Sequence, residues 1–453
     1  MKTIFIPIFQ GVEAKNILRT GIFRGLIARP DLRIVFFVGS AEKAAYYQKE
    51  FKNERVIYEV VGKFQPPRYD GVFEYLKYRL LCNQTIDLRR RRALESGGSF
   101  FGYLVSFLMT RLFGHSIFRR LARWLDFKII KDSFFADYFD RYQPQAVFLA
   151  HLFGDIEVSM LREARQRGVC SVGMVNSWDK LTGRAIMRLL PDKLIVFNEI
   201  MKDEAICYAE MRPADIWVTG VPQFDYYAVD KPSSRAVFCK KIGIDPKKKI
   251  IVYSPLGKSN SASDWDIIDM LQAWIDSGAI KGGTALLVRF PPNDFVDEAE
   301  LKKRPGLHYD LPGVRFGNVR GFGLDWDMTA QDLRHLLDTL AQADLFVSYA
   351  STLVIDAAIF DKPVININFE VKSNQPISLR PTSFYVTDHY QKAMRTSGIR
   401  MTGTRDELLN WINNYLGDTS LDRAGRQRLV QEQCGTVDGK AGERIAQKII
   451  SLL

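Results

Sequence analysis

Cysteine is scarce in this 453-residue sequence: Cys82, Cys170, Cys207, Cys239 and Cys434 lie far apart and never in CxxC spacing. Their odd number and wide scatter argue against a disulfide framework and a cysteine zinc site, and fit a reducing cytoplasm. Long apolar runs are missing as well. The most apolar stretch, residues 100–110, falls short of the roughly 20 residues that cross a bilayer. The N-terminal MKTIFIPIF is followed at once by Gly11, Glu13 and Lys15, so it reads as a buried first strand and not as a signal peptide. No long biased tract and no internal repeat is present, which argues against a disordered chain or a solenoid.

What is present suits a globular protein, with 47% hydrophobic and 25% charged residues. At roughly one domain per 150 residues the length allows two large domains or three small ones, and two fit better. The net charge of +11 is concentrated. Residues 88–131 hold ten cations (Arg89 to Arg92, Arg111, Arg119, Arg120, Arg123, Lys128 and Lys131) against Glu95 and Asp126, with aromatic and aliphatic residues between them. A basic, aromatic, amphipathic segment of this kind suits an anionic leaflet, so a peripheral contact at the inner face of the plasma membrane is expected. The same segment also reads as solvated helices of an ordinary domain. No nucleic-acid-binding motif accompanies the charge, so nucleic acid is not an expected partner.

Short β-branched runs alternate with helical patterns, which predicts parallel α/β construction. Strands are expected at residues 3–8, 33–38, 146–150, 169–175, 193–197 and 216–219, and a second series at 249–253, 285–289, 314–316, 345–348 and 363–366. Helical periodicity is expected at 263–277, 330–343 and 351–360. The division falls near residue 230: an N-terminal acceptor-binding domain over 1–230, a C-terminal nucleotide-donor domain over 231–440, and a closing helix over 441–453. Two Rossmann-like domains facing each other across a cleft would present their strand ends to a ligand there.

The clearest chemical signature is residues 344–365, DLFVSYASTLVIDAAIFDKPVI. A strand ends at Ser348, a hydroxyl-rich turn runs from Tyr349 to Thr352, and a helix carries Asp356 one turn in. Backbone N–H groups at such a turn attract phosphate, Ser351 and Thr352 add hydroxyls, and Asp356 can accept from ribose. An ordinary capped, buried helix gives the same pattern.

This turn, with its acidic residue and "DKPVI", resembles the donor-binding region of GT-B transferases, in particular bacterial CDP-glycerol glycerophosphotransferases and related surface-polysaccharide glycosyltransferases. Two further stretches are similar to those families: VTGVPQFDYY at 218–227, and DGKAGER at 438–444. The resemblance covers the C-terminal half and the linker. It implies a nucleotide-activated donor, a glycan or lipid-linked acceptor, and chemistry without a resident cofactor. The sequence departs from the glycerophosphotransferases at two places. Their "HG-x-P-x-K" histidine is replaced by the stretch Asn176 to Thr182, and their "R-x-HP" histidine falls where this chain has Arg289, Phe290, Pro291 and Pro292. A sugar transferase is therefore the expected activity, with polyol phosphate transfer or UDP-sugar 2-epimerisation as alternatives.

Such an enzyme needs a base to deprotonate an acceptor hydroxyl. Asp179 in NSWDKLT is the first candidate, with Trp178 to stack on a sugar and Lys180 to approach a phosphate. His151 and Asp155 in AHLFGD are the alternatives. Each also has an ordinary role, Asp179 as a turn cap and His151 as a structural histidine. For the donor, the loop at Ser254 brings Gly257, which permits close backbone approach, and Lys258, a point charge. Arg289 can pair bidentately with the leaving diphosphate, which removes the need for a metal. The sequence Asp325-Trp326-Asp327 spells DxD but lies in a Gly-rich context, and no metal is expected.

Overall fold

A computed structural model describes residues 1–294, 296–316, 325–371 and 375–453. The chain divides into two compact units, residues 1–229 with 434–453, and residues 230–433.

The first unit is built on strands β1 (Lys2–Pro7), β2 (Leu32–Val38), β3 (Val56–Val60), β4 (Ala146–Leu149), β5 (Cys170–Met174), β6 (Lys193–Val196) and β7 (Ile216–Val218). They lie in the order β3-β2-β1-β4-β5-β6-β7, all parallel. Strands covered on both faces by helices are apolar nearly throughout. In β2 only Arg33 escapes full burial, and Ile4, Phe5, Phe36, Val147, Phe148 and Leu194 are wholly enclosed.

The second unit uses β8 (Lys249–Ser254), β9 (Thr284–Arg289), β10 (His308–Asp310), β13 (Leu345–Ser348), β14 (Val364–Ile367) and β15 (Arg400–Thr402), in the parallel order β10-β9-β8-β13-β14-β15. Its core gathers Ile251, Tyr253, Leu271, Leu286, Val347 and Tyr415. The run expected as a strand at 314–316 does not join this sheet. It forms β11 (Val314–Arg315), paired antiparallel with β12 (Trp326–Asp327), and β11 is exposed where a sheet strand would be buried. Asp327 of the DxD spelling is fully buried in β12.

The two sequence stretches that resemble transferase motifs at 218–227 and 438–444 meet inside the first unit. Asp225 accepts the N–H groups of Ala441 and Gly442 at 2.9 and 2.7 Å. Arg444 donates twice to the Thr219 carbonyl, at 2.9 and 2.7 Å, and pairs with Asp438 at 2.7 Å. The helix Ala441–Ile450 then packs on the helix Gly21–Ile27, where a methyl on Gly25 would stand 2.5 Å from the Ala446 Cβ. Glycine is required there by the close approach of the two helices.

Candidate functional site

In an open parallel sheet the ligand side is the carboxyl end of the strands, at the point where the strand order reverses. In the first unit that point lies between β1 and β4. The chain leaving β1 enters the helix Gly11–Ile17 with Glu13. The chain leaving β4 carries His151 and then the helix Asp155–Gln166 with Glu157. The chain leaving β5 carries Asn176, Trp178 and Asp179 into the helix Lys180–Gly183. All three expected bases and both expected acceptor contacts are therefore at the ends of β4 and β5. Glu13, Glu157 and Asn176, to which the sequence reading gave no role, join them.

Glu13 is fully enclosed, and its Oε2 accepts the N–H groups of Phe9 at 2.6 Å and Gln10 at 3.0 Å. Burial pushes its carboxyl up to about 7, although those bonds, Lys180 and Lys43 oppose the rise. Glu157 is raised well above the ordinary range, first by burial and next by the charge of Glu13. Burial also pulls the Lys180 ammonium down, against Asp179, Glu13 and Glu157. His151 is held far below the usual imidazole range by burial, then by Lys180, Arg184 and Lys77, so it is neutral at neutral pH.

Four polar atoms in this group are buried without a hydrogen-bond partner among the described residues: Glu13 Oε1, His151 Nδ1, and Oδ1 and Nδ2 of Asn176. Leaving a buried polar group unmet costs about 1–3 kcal/mol. Folded proteins keep few such groups, and a cluster of them at a strand edge marks a place completed by a ligand or water.

The remaining candidates are more fully engaged. Asp179 precedes the helix Lys180–Gly183, stays half-buried, and accepts the Ser177 hydroxyl at 2.5 Å. Trp178 is 8% exposed, leaving little ring surface to stack on a sugar. Asp155 shares a hydrogen bond with Glu74, and burial followed by Glu74 pushes its carboxyl up to about 7. Oxygens of Asp70, Glu74 and Asp155 come within 4.8 Å of one another. Arg188 meets Asp70 at 2.5 Å, Glu74 at 3.1 Å and Asp126 at 2.7 Å, Arg162 meets Asp126 at 2.7 Å, and Lys77 meets Glu74 at 2.5 Å. Three cations thus face four carboxyls, and Asp155 is the one whose carboxyl is raised.

The second unit reverses between β8 and β13, and the expected donor residues cluster there. Ser254 ends β8. Gly257 has φ 91°, and a methyl on it would stand 2.1 Å from the Asp294 carboxylate, so only glycine fits. Its N–H donates to Asp264 at 2.9 Å, which also accepts the Tyr253 hydroxyl at 2.8 Å. Burial raises the Asp264 carboxyl to about 6. Lys258 is exposed.

Beyond β13, Tyr349 is buried and its hydroxyl reaches the Phe369 carbonyl at 3.3 Å. Asn366 pins the turn by donating to the carbonyl of Ser348 at 3.1 Å and of Tyr349 at 2.9 Å. Ser351 accepts the N–H of Leu353 at 3.2 Å, Thr352 is exposed, and Asp356 is buried in the helix Leu353–Ile359, which begins two residues later than expected. Asp361 of "DKPVI" has φ 52° and pairs with Arg423 at 2.6 Å and Arg426 at 2.8 Å, a fold contact.

Arg289 lies one strand over, at the level of Ser254, since Tyr253 pairs with Val288 in the register of β8 and β9. It ends β9, is buried, and pairs with Asp310 at 3.1 Å, whose other oxygen lies 2.7 Å from His335 Nε2. That ion pair accounts for Arg289 without a ligand.

No protein-family model matches the chain, and no curated protein matches it by sequence. Its fold is that of GT-B enzymes, two Rossmann-like α/β units. S. aureus MnaA, solved with UDP, is 15% identical with a TM-score of 0.55, covering 100% of this chain and 98% of that one. The Neisseria meningitidis UDP-GlcNAc 2-epimerase bound to UDP-GlcNAc is 8% identical with a TM-score of 0.56, covering 100% of both chains. A variant of the wall teichoic acid polymerase TagF, solved with CDPG, is 9% identical with a TM-score of 0.51, covering 100% of this chain and 88% of that one.

Proposed function

We infer that the protein is a glycosyltransferase that moves a sugar from a nucleotide-activated donor to a glycan or lipid-linked acceptor in cell-surface glycan synthesis. The observation that supports this reading is the unmet amide of Asn176 and the unmet Nδ1 of His151, which follow the neighbouring strands β5 and β4. A primary amide offers one acceptor and two donors, and a sugar hydroxyl both donates and accepts, so adjacent hydroxyls satisfy Asn176 from both sides. The folds it resembles were solved with UDP, UDP-GlcNAc and CDPG. A nucleotide held by the Ser254, Gly257, Lys258, Ser351, Thr352 and Asp356 side of the second unit is consistent with them.

Of the three candidate bases, His151 is favoured. It is neutral and therefore free to accept a proton, and Lys180, Arg184 and Lys77 are what depress it beyond burial. An anionic phosphate bound near those cations offsets them and raises the imidazole toward working pH, so that proton acceptance follows ligand binding. In transfer, the acceptor oxygen bonds to the anomeric carbon, the bond to the nucleoside phosphate breaks, and the acceptor proton passes to His151.

A second reading, epimerisation of a UDP-sugar, is favoured by Glu13 and Glu157, because two raised carboxyls near one histidine supply both acid and base. Calorimetric titration with UDP-, GDP-, CDP- and CMP-linked compounds tests the common ground, and absence of binding to all of them sinks both readings. Product analysis in deuterated water separates them. Solvent deuterium at the sugar's C2 without an acceptor identifies epimerisation, whereas nucleotide release that depends on acceptor identifies transfer.

A further inference from the structure

The helices Phe100–Phe113 and Ser116–Ile129 of the first unit have the apolar pattern of a core and the exposure of a surface. In the first, only Thr110 is buried, while Phe101 is 75% and Leu112 62% exposed, in line with Phe100, Leu104 and Leu108. The second helix is inside out. Its buried residues are Arg119, Ala122, Arg123 and Asp126, whereas Ile117 and Trp124 are 69% and 58% exposed, with Leu121 between them.

The inward cations are met by protein. Arg119 pairs with Glu210 at 2.5 Å and donates to the Gly114 carbonyl at 2.8 Å, and Arg123 pairs with Glu210 and donates to the Met187 carbonyl at 2.8 Å. Arg90 is likewise turned inward, onto Asp87 and Thr110. The sequence expectation that the whole basic run faces a membrane is corrected on this point. Arg91, Arg120, Lys128 and Lys131 remain exposed, as do Arg111, which pairs with Asp87 at 3.0 Å, and Arg89, which donates to the Gly183 and Arg184 carbonyls.

A helix that turns arginine inward and leucine outward has its solvent polarity reversed. A contiguous apolar surface rimmed by polar groups marks an interaction site. We propose that this two-helix face docks on an anionic phospholipid bilayer, its apolar stripe seated in the interface and its exposed cations on the headgroups. Charge selects the occupant. A cavity of about 380 Å³ opens between the helices Gln84–Glu95 and Phe100–Phe113, lined by Arg79 and Arg89, with Tyr78 and Tyr103, and by Arg90, whose charge Asp87 already meets. Its volume and charge suit a lipid phosphate. A second copy of the chain would bring the same cations against themselves. The inference does not depend on the glycosyltransferase reading.

Sedimentation of the whole protein with phosphatidylcholine vesicles, with and without phosphatidylglycerol, tests it. Binding is expected only with phosphatidylglycerol, and the double variant Leu112→Asp, Trp124→Asp should lower it by at least about tenfold, as should Arg111→Glu with Lys128→Glu. Circular dichroism checks that the variants fold. Trp124→Phe keeps the surface apolar, so it should bind normally while losing the part of the tryptophan quenching by brominated lipid that wild type shows. No binding to anionic vesicles overturns the proposal. So does binding that needs the cations but ignores the aspartate pair, or a concentration-dependent dimer, broken by the same substitutions, in a protein that leaves vesicles alone.

Discussion

The carboxylate of Asp225 accepts the backbone N–H of Gly442 at 2.7 Å, joining segments 217 residues apart. It also accepts Ala441 N–H, so one side chain caps the start of the final helix and returns the chain to the first unit. Asp225→Ala leaves two buried donors unmet and should destabilise the protein by roughly 2–4 kcal/mol. Gly442→Ala should also destabilise, because its methyl would stand 2.7 Å from the Gly21 nitrogen, which is backbone and cannot step aside. Urea midpoints measure both, and wild-type values for the pair would refute the capping role.

Glu13 predicts a pH dependence. Its folded carboxyl titrates at about 7, above the ordinary 4.5, so between those values the folded state binds the proton more tightly. Stability from this group is full below about 4.5 and declines as pH rises through 7, by roughly 3 kcal/mol in total. His151 acts oppositely: its folded value is depressed, so its contribution is present above 6.5 and falls as pH drops below that. The comparison that isolates Glu13 is therefore wild type against Glu13→Gln, which keeps the side-chain length and lacks the charge. The variant should gain on wild type as pH rises from 5 to 7.5 in chemical denaturation, and parallel curves would refute the assignment.

Much of the fold could be read from the chain because buried parallel strands are continuous apolar runs, and β1, β2, β4, β8 and β13 lie close to where those runs predict. Three edge strands, β3, β10 and β15, could not, although the edge strand β7 could. Residues 56–60 form β3 with no position fully buried, so the run VIYEV carries no clear burial signal. The expected site residues do lie at the carboxyl ends of neighbouring strands, β4 and β5 in the first unit and β8, β9 and β13 in the second. Glu13 escaped notice because an acid in the first turn of a helix usually faces water. Its neighbour Glu157 comes from a helix more than a hundred residues further along the chain, a proximity made only in three dimensions. The aromatic and aliphatic residues between the cations of 88–131 were likewise legible, but not that Ile117, Leu121 and Trp124 face outward.

Arg188 predicts the largest loss of stability. It reaches Asp70, Glu74 and Asp126 from one guanidinium in a buried setting, and its removal strands those carboxylates. Arg188→Met should cost roughly 3–5 kcal/mol. Arg188→Lys should rescue little, since a single ammonium cannot match three carboxylates held by a planar fork. A thermal melt of the lysine variant at the wild-type temperature would show that charge alone, not geometry, holds these segments together.

Asn176 separates site from scaffold. If its amide awaits a ligand, the unliganded protein carries the cost of two unmet buried atoms, and Asn176→Ala should leave stability unchanged or raise it by about 1 kcal/mol. The same change removes two hydrogen bonds to the bound sugar, so affinity for the nucleotide sugar should fall by roughly 5- to 150-fold, equal to about 1–3 kcal/mol. Affinity for the free nucleotide should not move, because the amide meets the sugar alone. Denaturation of the unliganded protein and calorimetry with nucleotide and nucleotide sugar give the three numbers. Lost stability with unaltered affinities would place Asn176 in the scaffold and leave His151 without its companion.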